Sequence, residues 1–318
     1  VKRPIAYLAG TGRGLPSHVM TNHDFASIGI ETSHDWIVER SGIHQRYIAK
    51  NGESTCSMGV DAARKAMQRA GVTPGELDSI VLSTAAPDRP LPSTAVSIQA
   101  ALGASRAAAF DIAAACSGWL YGLTLAEGMI ATGSAETILV IGSEKMSAIL
   151  DWTDRTTCVL FGDGAGAAVV KRSKAHKGIL SSFTRSDGAL AELLYRPAPD
   201  NGCSFVKMQG REIFKYAVRS MAEAVDRALD GARLTGNDID LLIPHQANVR
   251  IIEATAKHAN MPLDKVFINV DRYGNTSSAS VPIALDEAIE CGRVKEGTTA
   301  LLVAFGAGLT WASMVVRF

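Results

Sequence analysis

The chain has no Cys-x-x-Cys pair, no net charge and no long apolar run, and each absence closes off a class of function. Its five cysteines, Cys56, Cys116, Cys158, Cys203 and Cys291, are scattered and odd in number. That pattern argues against a disulfide framework or a zinc site and for a reducing compartment. Lys plus Arg total 32 and Asp plus Glu total 32 over 318 residues. A neutral protein has no global field to draw it to nucleic acid or to an anionic membrane, so a charged partner must meet a local patch. No apolar run approaches the roughly 18–20 residues of a membrane span, and the N-terminus lacks a signal-peptide pattern. A soluble cytoplasmic protein is expected. No Gly-x-Ser-x-Gly elbow occurs, which removes the usual serine hydrolase signal. Gly10-Thr-Gly-Arg-Gly14 lacks the dinucleotide spacing, and Gly162-Asp-Gly-Ala-Gly166 runs into a strand-like segment. Both read as tight turns.

What remains is an α/β chain. Apolar residues make up 47% and charged residues 20%, a globular balance with enough length for one large or two ordinary domains. Helical spacing runs from Ser54 to Ala70, with Gly71 as a stop. Ser79–Thr84 reads as a buried strand, Ser93–Leu102 as a helix, Ala107–Ile112 as a strand. Ser117–Ala131 reads as a helix apolar nearly all round and therefore buried, with Gly133 as its stop, and Thr137–Gly142 as another strand. The second half repeats the order: a helix over Lys215–Leu229, a strand ending at Pro244, Val266–Val270 in the place of Ala107–Ile112, a helix over Ala279–Ile289, and Thr299–Phe305 in the place of Thr137–Gly142. The offset is about 160 residues, which points to two copies of one α/β unit, residues 1–172 and 173–318.

The repeat singles out three residues. Cys116 follows a strand and opens a helix in the first copy. Asn275 is expected at the equivalent place in the second, and His245 follows the other repeated strand. All three lie at carboxyl ends of strands, where open α/β sheets place their sites. A thiol at a helix N-terminus sits near free amide donors, and such placement is expected to depress its pKa from about 8.5 into the range 3.5–7.5. A thiolate can take an acyl group from a thioester by nucleophilic catalysis. A neutral imidazole and a carboxamide are both donors, and aimed at one carbonyl oxygen they stabilise an enolate. The same three residue types serve papain-like proteases, where the Asn instead orients the His.

Four segments, Ala115-Cys-Ser-Gly118, Phe161-Gly-Asp-Gly-Ala-Gly166, Pro244-His-Gln-Ala-Asn248 and Gly274-Asn-Thr-Ser277, resemble β-ketoacyl-acyl-carrier-protein synthase III, the initiating condensing enzyme of bacterial fatty acid synthesis. The resemblance runs from near Ile5 to Phe318. It implies the thiolase fold, two duplicated α/β halves in a five-layer α-β-α-β-α arrangement, as a homodimer. It implies that Cys116 is acylated by an acyl-CoA, and that His245 and Asn275 hold the malonyl thioester carbonyl of malonyl-acyl carrier protein during decarboxylation. The backbone amides of Cys116 and Ala307 would form the oxyanion hole. Trp36 and Arg155 would sandwich the adenine of CoA, and Arg40 would meet phosphate. Gly210 and Asn248 would line the pantetheine tunnel, with Phe305 near the thiol. The acidic carrier protein would dock on Arg211, Lys215, Gln246, Arg250 and Lys257. Arg211, Lys215 and Arg219 fall on one helical face. CoA thioester enters as substrate, and no metal or other cofactor is implied.

Two positions depart from the acetyl-specific pattern. Leu91 stands where a phenylalanine often closes the acyl pocket across the dimer, which suggests a longer or branched primer. Ala307 stands where the family often has a third glycine, acceptable if the loop needs no positive φ there. Trp119, bulky beside the nucleophile, is expected to bear on pocket size. Two rival readings stand beside the main one: a condensing enzyme of secondary metabolism using CoA substrates only, and a non-catalytic carrier-protein-binding homologue. The intact Cys116, His245 and Asn275 set argues against the latter.

Overall fold

A computed structural model describes residues 5–173, 177–198 and 204–318, so Cys203 lies outside the described residues. The first part of the chain contributes β1 (Ala6–Gly14), β2 (His18–Thr21), α1 (His34–Ser41), β3 (Gln45–Ile48), α2 (Thr55–Ala70), β4 (Ser79–Ser83), α3 (Thr94–Leu102), β5 (Ala108–Ile112), α4 (Gly118–Thr132), β6 (Thr137–Glu144) and β7 (Gly164–Arg172). The rest contributes β8 (Gly178–Ser186), β9 (Leu194–Tyr195), β10 (Lys207–Met208), α5 (Gly210–Ala232), β11 (Leu241–Pro244), α6 (Val249–His258), α7 (Val270–Tyr273), α8 (Ser280–Glu290), β12 (Thr299–Gly306) and β13 (Thr310–Arg317). The helix boundaries follow the expected signals: Ser54 caps α2 by accepting from the Ser57 amide, and Gly71 and Gly133 end α2 and α4 in the left-handed region.

Two sheets carry the molecule. One has the order β1-β7-β6-β4-β5 and the other β11-β12-β13-β8, with β2-β3 and β9-β10 as small ribbons. In the first sheet β4 lies parallel to both β5 and β6, and β7 is antiparallel to β6 and β1. In the second, β11 and β12 are parallel, and β13 is antiparallel to β12 and β8. The expected counterpart of β5 is not a regular strand. Val266 makes a single parallel bridge to Leu242, and the chain then turns into α7. Helices α4 and α8 touch both sheets, α2 and α3 cover the outer face of the first, and α5 and α6 cover that of the second. The result is five layers, α-β-α-β-α. Strands β4, β6 and β12 are buried at every residue, which explains their unbroken apolar runs.

The glycine runs are not turns. Gly10, Gly12 and Gly14 alternate along β1 and face α2. A Cβ at these positions would stand 2.5 Å from the Ala66 carbonyl oxygen, 2.4 Å from that of Ala62 and 2.2 Å from that of Met58. The helix backbone thus rests directly on the strand, which only glycine allows. Gly164 and Gly166 likewise begin β7 under α8. Helix α4 also departs from expectation. Its first half is buried, but Leu125 is exposed and Met129 half-buried. From the central layer, buried Asp286 of α8 accepts from Thr11, Arg13 and Arg69, tying that layer to β1 and α2.

Candidate active site

Cys116 lies in a 3-10 turn, Ala115–Ser117, that leads from β5 into α4. Ala115, the residue before it, takes φ +45°, an uncommon conformation for a residue with a Cβ. The matching turn of the second half is Ser277–Ala279, leading into α8, and Ser277 takes φ +50°. The counterpart of Cys116 is therefore Ser278; Asn275 lies three residues earlier than the repeat had suggested. Gly306, at the end of β12, presses on the Cys116 turn so closely that a Cβ there would stand 2.6 Å from the Cys116 amide nitrogen. The following residue, Ala307, does not adopt a positive φ, so alanine is unstrained where the family often has glycine. Thr310 holds this loop to the turn: its hydroxyl lies 3.0 Å from the carbonyl oxygens of both Ala307 and Ala114, and 2.7 Å from the Ser117 hydroxyl.

The thiol is not depressed in pKa. Burial pushes Cys116 up to about 12, the negative charge of Glu144 adds to the rise, and the Ser277 hydroxyl pulls the other way. Placement at a helix start does not overcome desolvation in a closed site. His245 follows β11, its amide bonded to Val303 O at 2.7 Å. Its Nδ1 lies 2.5 Å from the Ser280 hydroxyl, which also accepts the Gln246 amide at 3.3 Å. Ser280 can then give its proton to Nδ1, leaving Nε2 as the N–H donor. Burial lowers the His245 pKa to about 4, so the ring is neutral at physiological pH. Asn275 is held on both sides by backbone: its amide bonds Leu160 O at 2.9 Å and its carbonyl accepts from Gly162 at 3.0 Å. Its Oδ1 accepts the Ser277 amide at 2.9 Å, which orients the carboxamide and frees Nδ2 as a donor.

Cys116, His245, Asn275, Phe305 and Gly306 line one cavity of about 550 Å³. Its outer part is bounded by Trp36, Arg40, Arg155, Gly210, Arg211, Asn248 and Arg250. The arrangement is a thiol at the foot of an apolar tunnel, two neutral donors beside it, and arginines at the mouth. The 3-Oxoacyl-[acyl-carrier-protein (ACP)] synthase III family matches over residues 110–188, and that family's C-terminal domain matches over residues 229–318. A β-ketoacyl-[acyl-carrier-protein] synthase III of Xylella fastidiosa is 48% identical over 324 residues, covering 100% of this chain and 99% of the relative. The chain belongs to this family. The crystal structure of 3-oxoacyl-[acyl-carrier-protein] synthase III from Aquifex aeolicus is 48% identical, with a TM-score of 0.94 over 98% of this chain and 100% of that one. The priming β-ketosynthase of the R1128 polyketide pathway is 35% identical, also with a TM-score of 0.94, covering 99% and 97%. The five layers are those of the thiolase fold that the synthase III structures share.

Against that family background, Gln246 and Trp119 need correction, and the other expected residues have partners of their own. Gln246 does not reach the surface. It is 1% exposed, and its carboxamide donates to Pro244 O and Phe267 O and accepts from the Asn269 and Val270 amides. Its side chain fastens the His245 strand to α7 rather than meeting a partner. Trp119 does not border the cavity either; it is buried in the layer between the sheets, with its indole N–H on Val140 O at 3.2 Å. Arg155 stands 5.3 Å and Arg40 4.4 Å from the Trp36 ring centre. Asn248 is committed to structure, capping α6 through the Arg250 amide and donating to Arg40 O. Lys215 pairs with Glu212, and Lys257 borders a separate surface hollow; both are exposed and neither lines the cavity. Leu91 is 84% exposed and outside the cavity of its own chain. Glu144, Ser277, Ser280 and Thr310 escaped the sequence reading. The one signal for Glu144 was a carboxylate completing an otherwise apolar strand.

Proposed function

We propose that this protein joins an acyl group from acyl-CoA to a malonyl unit on acyl carrier protein by decarboxylative Claisen condensation, with Cys116 as acyl acceptor. Family membership makes the chain a condensing acyltransferase of the type that initiates fatty acid synthesis. The observation that carries the residue assignment is the single cavity bordered by the Cys116 thiol, the neutral His245 ring and the oriented Asn275 carboxamide. In this reading the Cys116 sulfur attacks the thioester carbon and CoA leaves. The oxyanion rests on the amides of Cys116 and Ala307, which belong to the two segments that meet at the Gly306 contact. Malonyl thioester then takes the place of CoA. His245 Nε2–H and Asn275 Nδ2–H donate to its carbonyl oxygen as CO₂ departs, and the enolate carbon attacks the acyl-cysteine. A neutral donor suits this step, because it holds the developing negative charge without transferring a proton to it. The reaction as written balances without a metal or redox cofactor.

The arginines at the mouth, Arg40, Arg155, Arg211 and Arg250, suit the CoA phosphates and the acidic carrier protein, with Lys215 and Lys257 farther out. Gly210, Asn248 and Phe305 bound the tunnel for pantetheine. Two copies would pair through the open edge of β5, covering Leu125 and carrying Leu91 to the partner's acyl pocket. The two halves would be residues 1–172 and 173–318. The setting would be the cytoplasm; among the described residues no helix is long and apolar enough to cross a membrane. The test is intact mass after incubation with acetyl-, branched and longer acyl-CoAs, followed by malonyl-acyl carrier protein. An acyl adduct on Cys116 that malonyl-acyl carrier protein discharges as ketoacyl product is expected. No adduct with any chain length would overturn the reading.

A further inference from the structure

Arg46, on β3, is fully buried, and the condensation chemistry above gives it no part. Among the described residues its hydrogen bonds go only to neutral acceptors. Nη2 donates to the Val159 carbonyl oxygen at 2.7 Å, and Nη1 donates to Asn22 Oδ1 at 2.8 Å and to Met20 O at 3.4 Å. The guanidinium lies over the Phe25 ring, 4.8 Å from its centre. Burial lowers its pKa to about 10, so it is still a cation at neutral pH. The cost of burying a cation without a paired carboxylate must be offset by the hydrogen bonds it makes.

What those bonds hold is the seat of Asn275. The carbonyl next to that of Val159, on Leu160, accepts the Asn275 amide at 2.9 Å. Two residues further on, the Gly162 amide donates to the Asn275 carbonyl at 3.0 Å, and Phe161 and Asn275 pair as a parallel bridge. The Cβ of Arg46 packs on both glycines of this seat. A Cβ on Gly162 would stand 2.9 Å from it, and one on Gly274, just before Asn275, 3.3 Å. Strand β3 also takes the Asp163 amide on Tyr47 O at 2.8 Å. The Cys116 turn is held separately, by Gly306 and Thr310.

We propose that Arg46 is a positioning residue for decarboxylation: its guanidinium fixes the Val159 carbonyl, and with it the backbone that sets where the Asn275 carboxamide stands. The inference rests on the reading of Asn275 as a donor to the malonyl carbonyl. Arginine suits the role for a geometric reason. Its planar fork donates in two directions at once, to Val159 on one side and to Asn22 on the other, so the segment cannot shift without straining both bonds. Asn22 is anchored in turn by donating to Ile43 O at 2.6 Å. Asn275 Oδ1 is bonded within its own loop to the Ser277 amide, so a shift of this backbone carries Nδ2 with it. A donor displaced from the developing oxyanion loses its effect on the rate.

The test separates the two half-reactions. Acylation of Cys116 by acetyl-CoA or isobutyryl-CoA, whichever acylates wild type faster, is timed by intact mass. Discharge of the isolated acyl-enzyme by malonyl-acyl carrier protein is timed the same way, in wild type, Arg46→Lys, Asn275→Ala and the double variant. Arg46→Lys keeps the charge and the stem but loses the fork. It is expected to acylate within about threefold of wild type and to discharge about 10²-fold more slowly, the cost of a displacement near 1 Å. Acting through Asn275, the substitution should slow the Asn275→Ala enzyme by no more than about threefold further. A merely structural role slows both half-reactions alike or adds its full loss to that of Asn275→Ala, and either result would overturn the proposal. Asn22→Ala frees one arm of the fork and leaves Arg46 in place, so it carries the test if Arg46→Lys does not fold. It is expected to slow discharge alone by about tenfold, and discharge at the wild-type rate would overturn the proposal. An Asn275→Ala enzyme that discharges like wild type would overturn the Asn275 reading, and this proposal with it. Impaired Asn275→Ala beside unimpaired Arg46→Lys would overturn this proposal alone. A wild type acylated by neither thioester would overturn the function on which both rest.

Discussion

Replacing Gly306 by alanine tests the oxyanion hole without touching a reacting group. A Cβ at this position would stand 2.6 Å from the Cys116 nitrogen, 3.2 Å from its Cα and 3.1 Å from the Ser117 nitrogen. All three are backbone atoms, so no side chain can swing aside. Ordinary contact begins at 3.4 Å, so β12 and the Cys116 turn must separate by about 0.8 Å, the difference between 3.4 and 2.6 Å. Gly306 has no positive φ, so alanine meets no backbone strain of its own and the effect comes from the displacement. The two amides proposed to hold the oxyanion sit on the two sides of this contact. A displacement near 1 Å can cost about 10²-fold in rate, and loss of one oxyanion donor costs about 10²–10³-fold. Gly306→Ala is therefore expected to acylate Cys116 about 10²-fold more slowly than wild type, with CoA affinity changed much less. The assay is rapid-quench intact mass with a saturating acyl-CoA, alongside thermal unfolding to confirm a folded variant. A folded Gly306→Ala protein that acylates within threefold of wild type would refute the reasoning.

Other outcomes follow from the same geometry. Cys116→Ala is expected to lose acyl transfer and condensation while keeping part of malonyl decarboxylation, measured by CO₂ release; full condensation would contradict the nucleophile assignment. His245→Ala is expected to accept an acyl group yet lose decarboxylation by about 10²–10³-fold. The His245 pKa falls from 6.5 in the open chain to about 4 when folded, so between those values the unfolded state binds a proton that the folded state refuses. Stability from this group is therefore complete above pH 6.5 and declines by about 3 kcal/mol as pH falls to 4, a contribution that His245→Gln should lack in denaturant titrations at the two pH values. Asp286→Ala leaves Arg13 and Arg69 with Glu290 as the one carboxylate they share and is expected to cost about 2–3 kcal/mol, below the range for a fully buried pair because both arginines are partly exposed and keep that partner.

Much of this protein was legible in the chain. Buried strands such as Ser79–Ser83 announce themselves because a strand covered on both faces must be apolar throughout, and helix ends at Gly71 and Gly133 announce themselves because a left-handed turn favours glycine. The order of elements and the four motifs placed Cys116 and His245 at strand ends, which is where the cavity lies, whereas Asn275 reaches the same cavity from the loop after α7. Other features depended on distances between segments far apart in sequence. Gly10, Gly12 and Gly14 looked like turn residues until α2 was seen resting on them. Gln246 looked available to a partner until Asn269 and Val270 were found on its carboxamide. The direction of the Cys116 pKa was reversed by burial, which no local pattern encodes, and Glu144 accepts from Ser277 and Ser278, 133 and 134 residues away. Periodicity and capping are local, so the order of residues already shows which groups are present and which elements carry them. Tertiary structure alone decided their protonation and their neighbours, because desolvation and hydrogen bonding are set by what packs around a group.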